Sequence, residues 1–268
     1  MSKTLEDRLR DAKAALGTAN AALGRHVGKV PSDVEVQFRT VIDYDADIEH
    51  WIGLLHARAA ASALLADLEK GADANDCVPL GTARVKFQHV RRIGVQAYLS
   101  TTWSLADRVA GMVGRVLCTP DAGFNEASPA QLVSQFVQKE RKKTTAAAVF
   151  ESVRQTFGWP IGLSYAIRNH FVHDGAQVAG SDFFDGPTAA SKFGISLKGW
   201  MRVEDRAKTY GVEPGHHRAG PSWPATPRDD LRALLEVCER EMDDALGVLL
   251  GSACGSLLTH VACMLGED

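Results

Sequence analysis

The sequence predicts an all-α fold. Apolar residues recur at helical spacing over long stretches, and no stretch of any length alternates apolar and polar side chains as a half-buried strand does. Alanine and leucine are abundant while aromatics make up only 7% of the chain, which favours helices over sheets. Hydrophobic residues at 45% and charged residues at 24% are ordinary for a globular protein, and 268 residues suffice for one large domain or two small ones.

Taken in order, residues 4–27 carry Leu5, Leu9, Ala12, Leu16, Ala19 and Leu23, a narrow seam for packing on another helix. Gly28 to Pro31 breaks the helix, and Ser32 or Asp33 is placed to cap the next. Val34, Phe38, Val41, Ile48, Ile52, Leu55 and Ala59 repeat the seam to about Leu68, interrupted only by Asp45. Two long helices joined by a short break predict an antiparallel hairpin over residues 1–75, packed on a domain spanning 80–268. Residues 71–81 read as a loop. A third helix is expected over 82–118, with Val90, Ile93, Ala97, Leu105, Val109, Val113 and Val116 as its buried stripe and Thr101-Thr102 weakening its middle. Ser128-Pro129 restarts a helix with proline at the favoured first position.

A helix over 145–157 should end at Gly158, with Pro160 opening the next. Residues 176–227 form an irregular insertion that holds Pro187, Pro214, Pro221, Pro224 and Pro227, with one shorter helix around 196–209. Thr226 or Asp229 starts a final helix, apolar at Leu231, Leu234, Leu235, Cys238, Met242, Leu246, Leu249 and Leu250.

Chemistry concentrates in Tyr165 to Gly175, where Arg168, Asn169, His170 and His173 fall within six residues before an Asp174-Gly175 helix stop. An arginine offers a planar, permanently charged fork that grips phosphate through two hydrogen bonds. A histidine takes and gives a proton near neutral pH. RNA cleavage needs a base for the 2′-hydroxyl, an acid for the leaving oxygen and a cation at the phosphate, and this set supplies all three without a metal. Geometry adds a demand. Positions five apart on a straight helix diverge by about 140°, so Arg168 and His173 converge only if the helix ends near His173 or if two copies of the chain share the site.

Arg168-Asn169-x-x-x-His173 resembles the R-N-x-x-x-H signature of HEPN domains, helical bundles with an R-x(4–6)-H motif found in many prokaryotic toxins and defence nucleases. The resemblance implies a bundle of HEPN type with an N-terminal helical hairpin and an insertion before the last helix. It implies a homodimer with two motifs facing one cleft, and a metal-independent endoribonuclease that leaves 2′,3′-cyclic phosphate ends. Arg168 would bind the scissile phosphate, Asn169 would orient the motif and His173 would be the acid/base. Asp107, on an earlier helix, is where the family often carries an assisting polar residue. A protein partner that inhibits or activates is also implied by the toxin-like or phage-defence setting. The alternative is an inactive module of the same fold that binds a nucleotide, RNA or a protein.

Other constellations fall behind. His170 and His173 share a helix face, but no third ligand has suitable spacing, so neither a metal nor any other cofactor is expected; His170 reads as an RNA contact or as a residue that supports the site from behind. Asp43-x-Asp45-x-Asp47-x-Glu49 begins like a calcium loop but has Ile48 in place of glycine and Leu54 in place of glutamate. Gly162-Leu163-Ser164 lacks the strand that a nucleophile elbow needs. Net charge is −3 and pI about 6.3, so RNA contact must be local. Lys139, Arg141, Lys142 and Lys143 form one candidate backbone-tracking cluster, and Arg84, Lys86, Arg91 and Arg92 another. The five cysteines are scattered and read as small buried residues in a reducing compartment, and the N-terminus has no secretory h-region, so the expected address is cytoplasmic. Residues 245–265 carry no charged side chain and spell G-x-x-x-G-x-x-x-G at Gly247, Gly251 and Gly255, but acidic flanks disfavour a membrane span. A buried or dimer-forming helix is expected there.

Overall fold

Helices account for nearly all of what the computed structural model describes, namely residues 3–25, 39, 41–69, 77–117, 132–133, 145–172, 183–185, 193–210 and 230–265. They are α1 (Leu5–Arg25), α2 (Tyr44–Glu69), α3 (Phe87–Leu117), α4 (Thr145–Val172), α5 (Leu197–Thr209) and α6 (Leu231–Leu265). Two short antiparallel hairpins also occur: β1 (Cys77–Leu80) with β2 (Ala83–Lys86), and β3 (Phe183–Asp185) with β4 (Phe193–Ile195). The all-α class read from the sequence holds.

The chain divides into two compact units. One comprises Met1–Leu55, Ser104–Thr156 and Asp243–Asp268; the other comprises His56–Trp103 and Phe157–Met242. Both draw on residues from either side of the 75/80 boundary expected from sequence.

In the first unit α1 follows its seam. Leu5, Leu9, Ala12, Leu16, Ala19 and Leu23 are all buried, joined by Ala15 and Ala22. Thr4 starts the helix: its Oγ1 accepts from the Asp7 N–H at 3.1 Å, while Asp7 accepts from the Thr4 N–H at 3.0 Å. These two bonds satisfy donors that a helix start leaves open, and the hydroxyl bond to Thr4 holds the Asp7 carboxyl below its ordinary range. Lys13 Nζ lies 2.7 Å from Glu49, so α1 and α2 are neighbours there, although the pair is exposed and stabilises little. Over α3, Val109 to Gly114 are all buried, so this turn is enclosed on every side.

Arg8 of α1 lies across α6, its Nη1 donating to the Gly247 carbonyl at 3.2 Å. A Cβ on Gly247 would meet Arg8 Cδ and Nε at 2.7 Å, whereas one on Gly251 or Gly255 would meet nothing within 4 Å. The glycine run therefore serves one close approach, at its first member. By length and composition Leu231–Cys263 could cross a membrane.

In the second unit the buried core joins Leu65 of α2, Val95, Tyr98 and Leu99 of α3, and Trp159, Leu163, Ile167 and Phe171 of α4 to residues of α5 and α6. A polar cluster sits inside it. The Tyr98 hydroxyl donates to Glu239, and Arg58 Nε lies 3.1 Å from the other oxygen of that carboxylate. Arg58 is only 4% exposed. Burial, with Glu239 beside it, pushes the Tyr98 hydroxyl far above the ordinary phenol value. Burial, with the charge of Glu241 adding to it, pushes the Cys238 thiol up to about 12.

Several expectations are corrected. Residues 77–80 and 83–86 pair as strands about Gly81, whose φ of 61° suits a tight turn, so the third helix begins at Phe87 and not at 82. Ile93 is 56% exposed, and the buried stripe of early α3 is Phe87, Arg91, Val95, Tyr98, Leu99 and Thr102. Polar groups on that stripe masked its phase; the Arg91 guanidinium lies 4.6 Å from the Phe87 ring centre. Ala59 is exposed and Arg58 takes its place inside. Pro160 does not open a helix: α4 runs unbroken from Thr145 to Val172 with Pro160 inside it, where burial of Trp159, Ile161 and Leu163 outweighs one lost backbone bond. The insertion contains β3, β4 and α5, the last capped by Ser196 Oγ accepting from the Gly199 N–H at 3.1 Å. Asp230 caps α6, its Oδ1 accepting from the Ala233 N–H at 3.1 Å; Thr226 and Asp229 lie outside the described residues. Cys77 and Cys263 are exposed, and only Cys238 is buried among the described cysteines.

Two stability outcomes follow. Glu239→Ala leaves the Arg58 guanidinium buried without its carboxylate and should cost about 3–5 kcal/mol in urea denaturation, against about 1 kcal/mol for Tyr98→Phe; a loss below that of Tyr98→Phe would show the cluster to be incidental. Gly251→Ala should stabilise by about 0.5–1 kcal/mol, because the new methyl meets open space and alanine is the better helix former. A destabilising Gly251→Ala would instead mean that another surface packs there.

Candidate functional site

The inner face of α4 carries Trp159, Leu163, Ala166, Ile167, His170 and Phe171 into the core, which leaves Tyr165, Arg168 and Asn169 on the partly exposed face. At about 100° per residue, His170 lies some 200° round the helix from Arg168. The two are thus forced to opposite sides, and His170 is 2% exposed. The expectation that His170 contacts RNA does not fit a side chain this buried.

Arg168 and Asn169 are brought together. Arg168 Nη1 donates to Asn169 Oδ1 at 2.9 Å, and Asn169 Nδ2 donates to the Tyr210 hydroxyl at 3.1 Å. The Arg168 guanidinium carbon lies 5.8 Å from the centre of the Tyr165 ring. That ring meets Tyr210 edge-on at 5.2 Å and Trp103 at 4.7 Å between centres. Trp103 is itself fixed by its indole N–H, which donates to Ser164 Oγ at 3.2 Å. A cation, a carboxamide and two tyrosines therefore share one face of the second unit.

The end of α4 is held from outside the helix. Gln96 Nε2 of α3 donates to the Phe171 carbonyl at 2.7 Å, one of the last-turn acceptors that a helix end leaves over. His173 lies outside the described residues, as do Lys139, Arg141, Lys142 and Lys143. Asp107 belongs to the first unit, where its Oδ1 accepts from the Leu132 N–H at 3.3 Å. In the second basic cluster Arg84 and Lys86 are exposed on β2 while Arg91 is buried, so the four do not form one surface stripe. Among the described residues no group of three or more His, Cys, Asp or Glu is placed to hold a metal ion.

Tyr210 was missed from sequence because it lies 41 residues beyond Asn169 in a stretch read as irregular. A signal existed: Trp200, Val203, Ala207 and Tyr210 follow a 3,4,3 spacing, and all four pack on the core. Burial raises the Tyr210 hydroxyl above the ordinary phenol value, while the bond from Asn169 and the charges of Arg206 and Arg168 pull the other way. At neutral pH the group stays protonated.

No protein-family model, curated protein or solved structure matches the chain. The functional reading accordingly rests on the residues themselves.

The Tyr210 environment has a measurable consequence. In the difference between the alkaline absorbance titrations of wild type and Tyr210→Phe, the Tyr210 component should ionise above the unfolded value of about 10. Since the folded value is the higher, its contribution to stability is complete below pH 10 and is lost as pH rises through the folded value. A component titrating at or below 10 would contradict this.

Proposed function

We propose that the chain is a metal-independent endoribonuclease built on Arg168, Asn169 and His173 and completed by a second copy of the chain. The reading is supported chiefly by the Arg168–Asn169 pair: a guanidinium held by a carboxamide on the partly exposed face of a helix, five residues before a histidine. Arginine in that setting is a phosphate ligand, and its planar fork suits two oxygens of a phosphodiester.

The chemistry then follows. A base takes the proton of the ribose 2′-hydroxyl, the 2′-oxygen bonds to phosphorus, and the bond to the 5′-oxygen breaks as an acid protonates that leaving group. Arg168 balances the charge that builds on the phosphate oxygens. His173 is the proton carrier, and two copies across a two-fold axis would supply one imidazole for each role. The products are a 2′,3′-cyclic phosphate and a 5′-hydroxyl. Lys139, Arg141, Lys142 and Lys143 are assigned to the RNA backbone, and Asp107 to support of the site. The setting proposed is cytoplasmic and toxin-like or defensive, with a protein partner restraining or releasing the activity.

The test is incubation of RNA with wild type, Arg168→Ala and His173→Ala in EDTA. Cleavage to cyclic phosphate ends by the wild type, reduced at least about 100-fold in each folded variant, is the expected outcome. A folded wild type that binds RNA but leaves it intact would favour the binding module instead.

A further inference from the structure

The insertion between α4 and α6 supplies a residue to the site. α5 is anchored at its start by the Ser196 cap and along one side by Val203 and Ala207, both in the core of the second unit. That anchoring fixes Tyr210, the residue that ends α5, whose backbone N–H closes the helix on the Ala207 carbonyl at 3.1 Å. From there two routes lead to Arg168. One is polar: the Tyr210 hydroxyl accepts from Asn169 Nδ2 at 3.1 Å, and Asn169 Oδ1 accepts from Arg168 Nη1 at 2.9 Å. The other is aromatic: Tyr210 meets Tyr165 edge-on, and Tyr165 lies 5.8 Å from the guanidinium carbon.

A carboxamide bonded at both ends cannot rotate without breaking one of the bonds. Among the described residues, Tyr210 is what holds the amino end of Asn169 in that condition. We propose that Tyr210 is a positioning residue for Arg168, acting through Asn169 to set the guanidinium for an RNA phosphate. The inference rests on the ribonuclease reading for the identity of the ligand. It goes further in making the insertion part of the site, so that a partner displacing α5 would disarm Arg168 without touching it.

Packing alone gives a different expectation. The Tyr210 ring belongs to the hydrophobic surroundings of α5 whatever its hydroxyl does, and phenylalanine preserves that ring. Tyr210→Phe should therefore leave the melting temperature close to wild type while cutting the relay. The probe is an uncleavable, fully 2′-O-methylated oligoribonucleotide, with affinity measured at fixed salt for wild type, Tyr210→Phe, Arg168→Ala and the double variant. Tyr210→Phe should weaken binding about tenfold, as expected for losing a bond that orients a charged group. In the Arg168→Ala background the same change should do almost nothing, because a residue acting through Arg168 has nothing left to orient. Asn169→Leu, which cuts the relay at its middle, should reproduce the loss and should not add to that of Tyr210→Phe. Full affinity in Tyr210→Phe, or an equal loss in both backgrounds, overturns the proposal while leaving the ribonuclease reading intact. A wild type that neither binds nor cleaves RNA overturns both.

Discussion

The second unit depends on one half-buried carboxylate. Glu239 of α6 takes a hydrogen bond from Tyr98 of α3 and an ion pair from Arg58 of α2, so three helices meet at a single side chain. Apolar packing is tolerant of sliding, because a leucine shifted by a fraction of a turn still finds apolar neighbours. A buried guanidinium is not: away from its carboxylate it carries a large desolvation penalty. The cluster thus fixes the register of α2, α3 and α6. Removing Glu239 is expected to cost more than the pair contributes, since the Arg58 guanidinium left behind stays buried.

That register carries through to the candidate site. Tyr98 and Leu99 border the same core that receives Leu163, Ile167 and Phe171 of α4, and Gln96, two residues before Tyr98, reaches the Phe171 carbonyl. With the inner face of α4 committed to the core, helical geometry divides the motif without further choice. Arg168 and Asn169 emerge together, and His170 turns inward. The sequence places two histidines next to the arginine, but the helix presents none of His170 to a ligand. On the proposed reading His173 alone is left as the proton carrier, which sharpens the need for a helix end or a second subunit.

What was legible from the sequence depended on how far a single pattern ran. The seam of α1 and the apolar stripe of α6 repeat over many turns, and each position named there is buried. Early α3 was misphased because its buried positions include Arg91, Tyr98 and Thr102, side chains that a hydrophobic pattern counts as outward. The hairpins escaped because strands of three and four residues are too short for alternation to register. Pro160 misled in the other direction: a local breaker was overruled by burial on both sides of it. Arg168 and Asn169 could be picked out because they are adjacent. Tyr210 could not be joined to them, because the contact arises only when α5 docks on the core, a tertiary event to which spacing along the chain is blind.

The acidity of the chain bears on how such a site would work. At a net charge of −3 no long-range field draws a polyanion in, so recognition has to come from contacts at hydrogen-bond and stacking distance. On the proposed reading, the partly exposed rings of Tyr165 and Tyr210 would be the groups available to stack on a base, an interaction that owes little to net charge and is worth about 1–3 kcal/mol per base. The guanidinium itself is already steadied by Asn169, so less freedom remains to be lost when a phosphate arrives. The same steadiness has a cost: the carboxamide and the phosphate compete for one edge of the fork. On the proposed reading such a site would gain selectivity from orientation more than from attraction, and α5, which holds Tyr210, would be the element through which it is controlled.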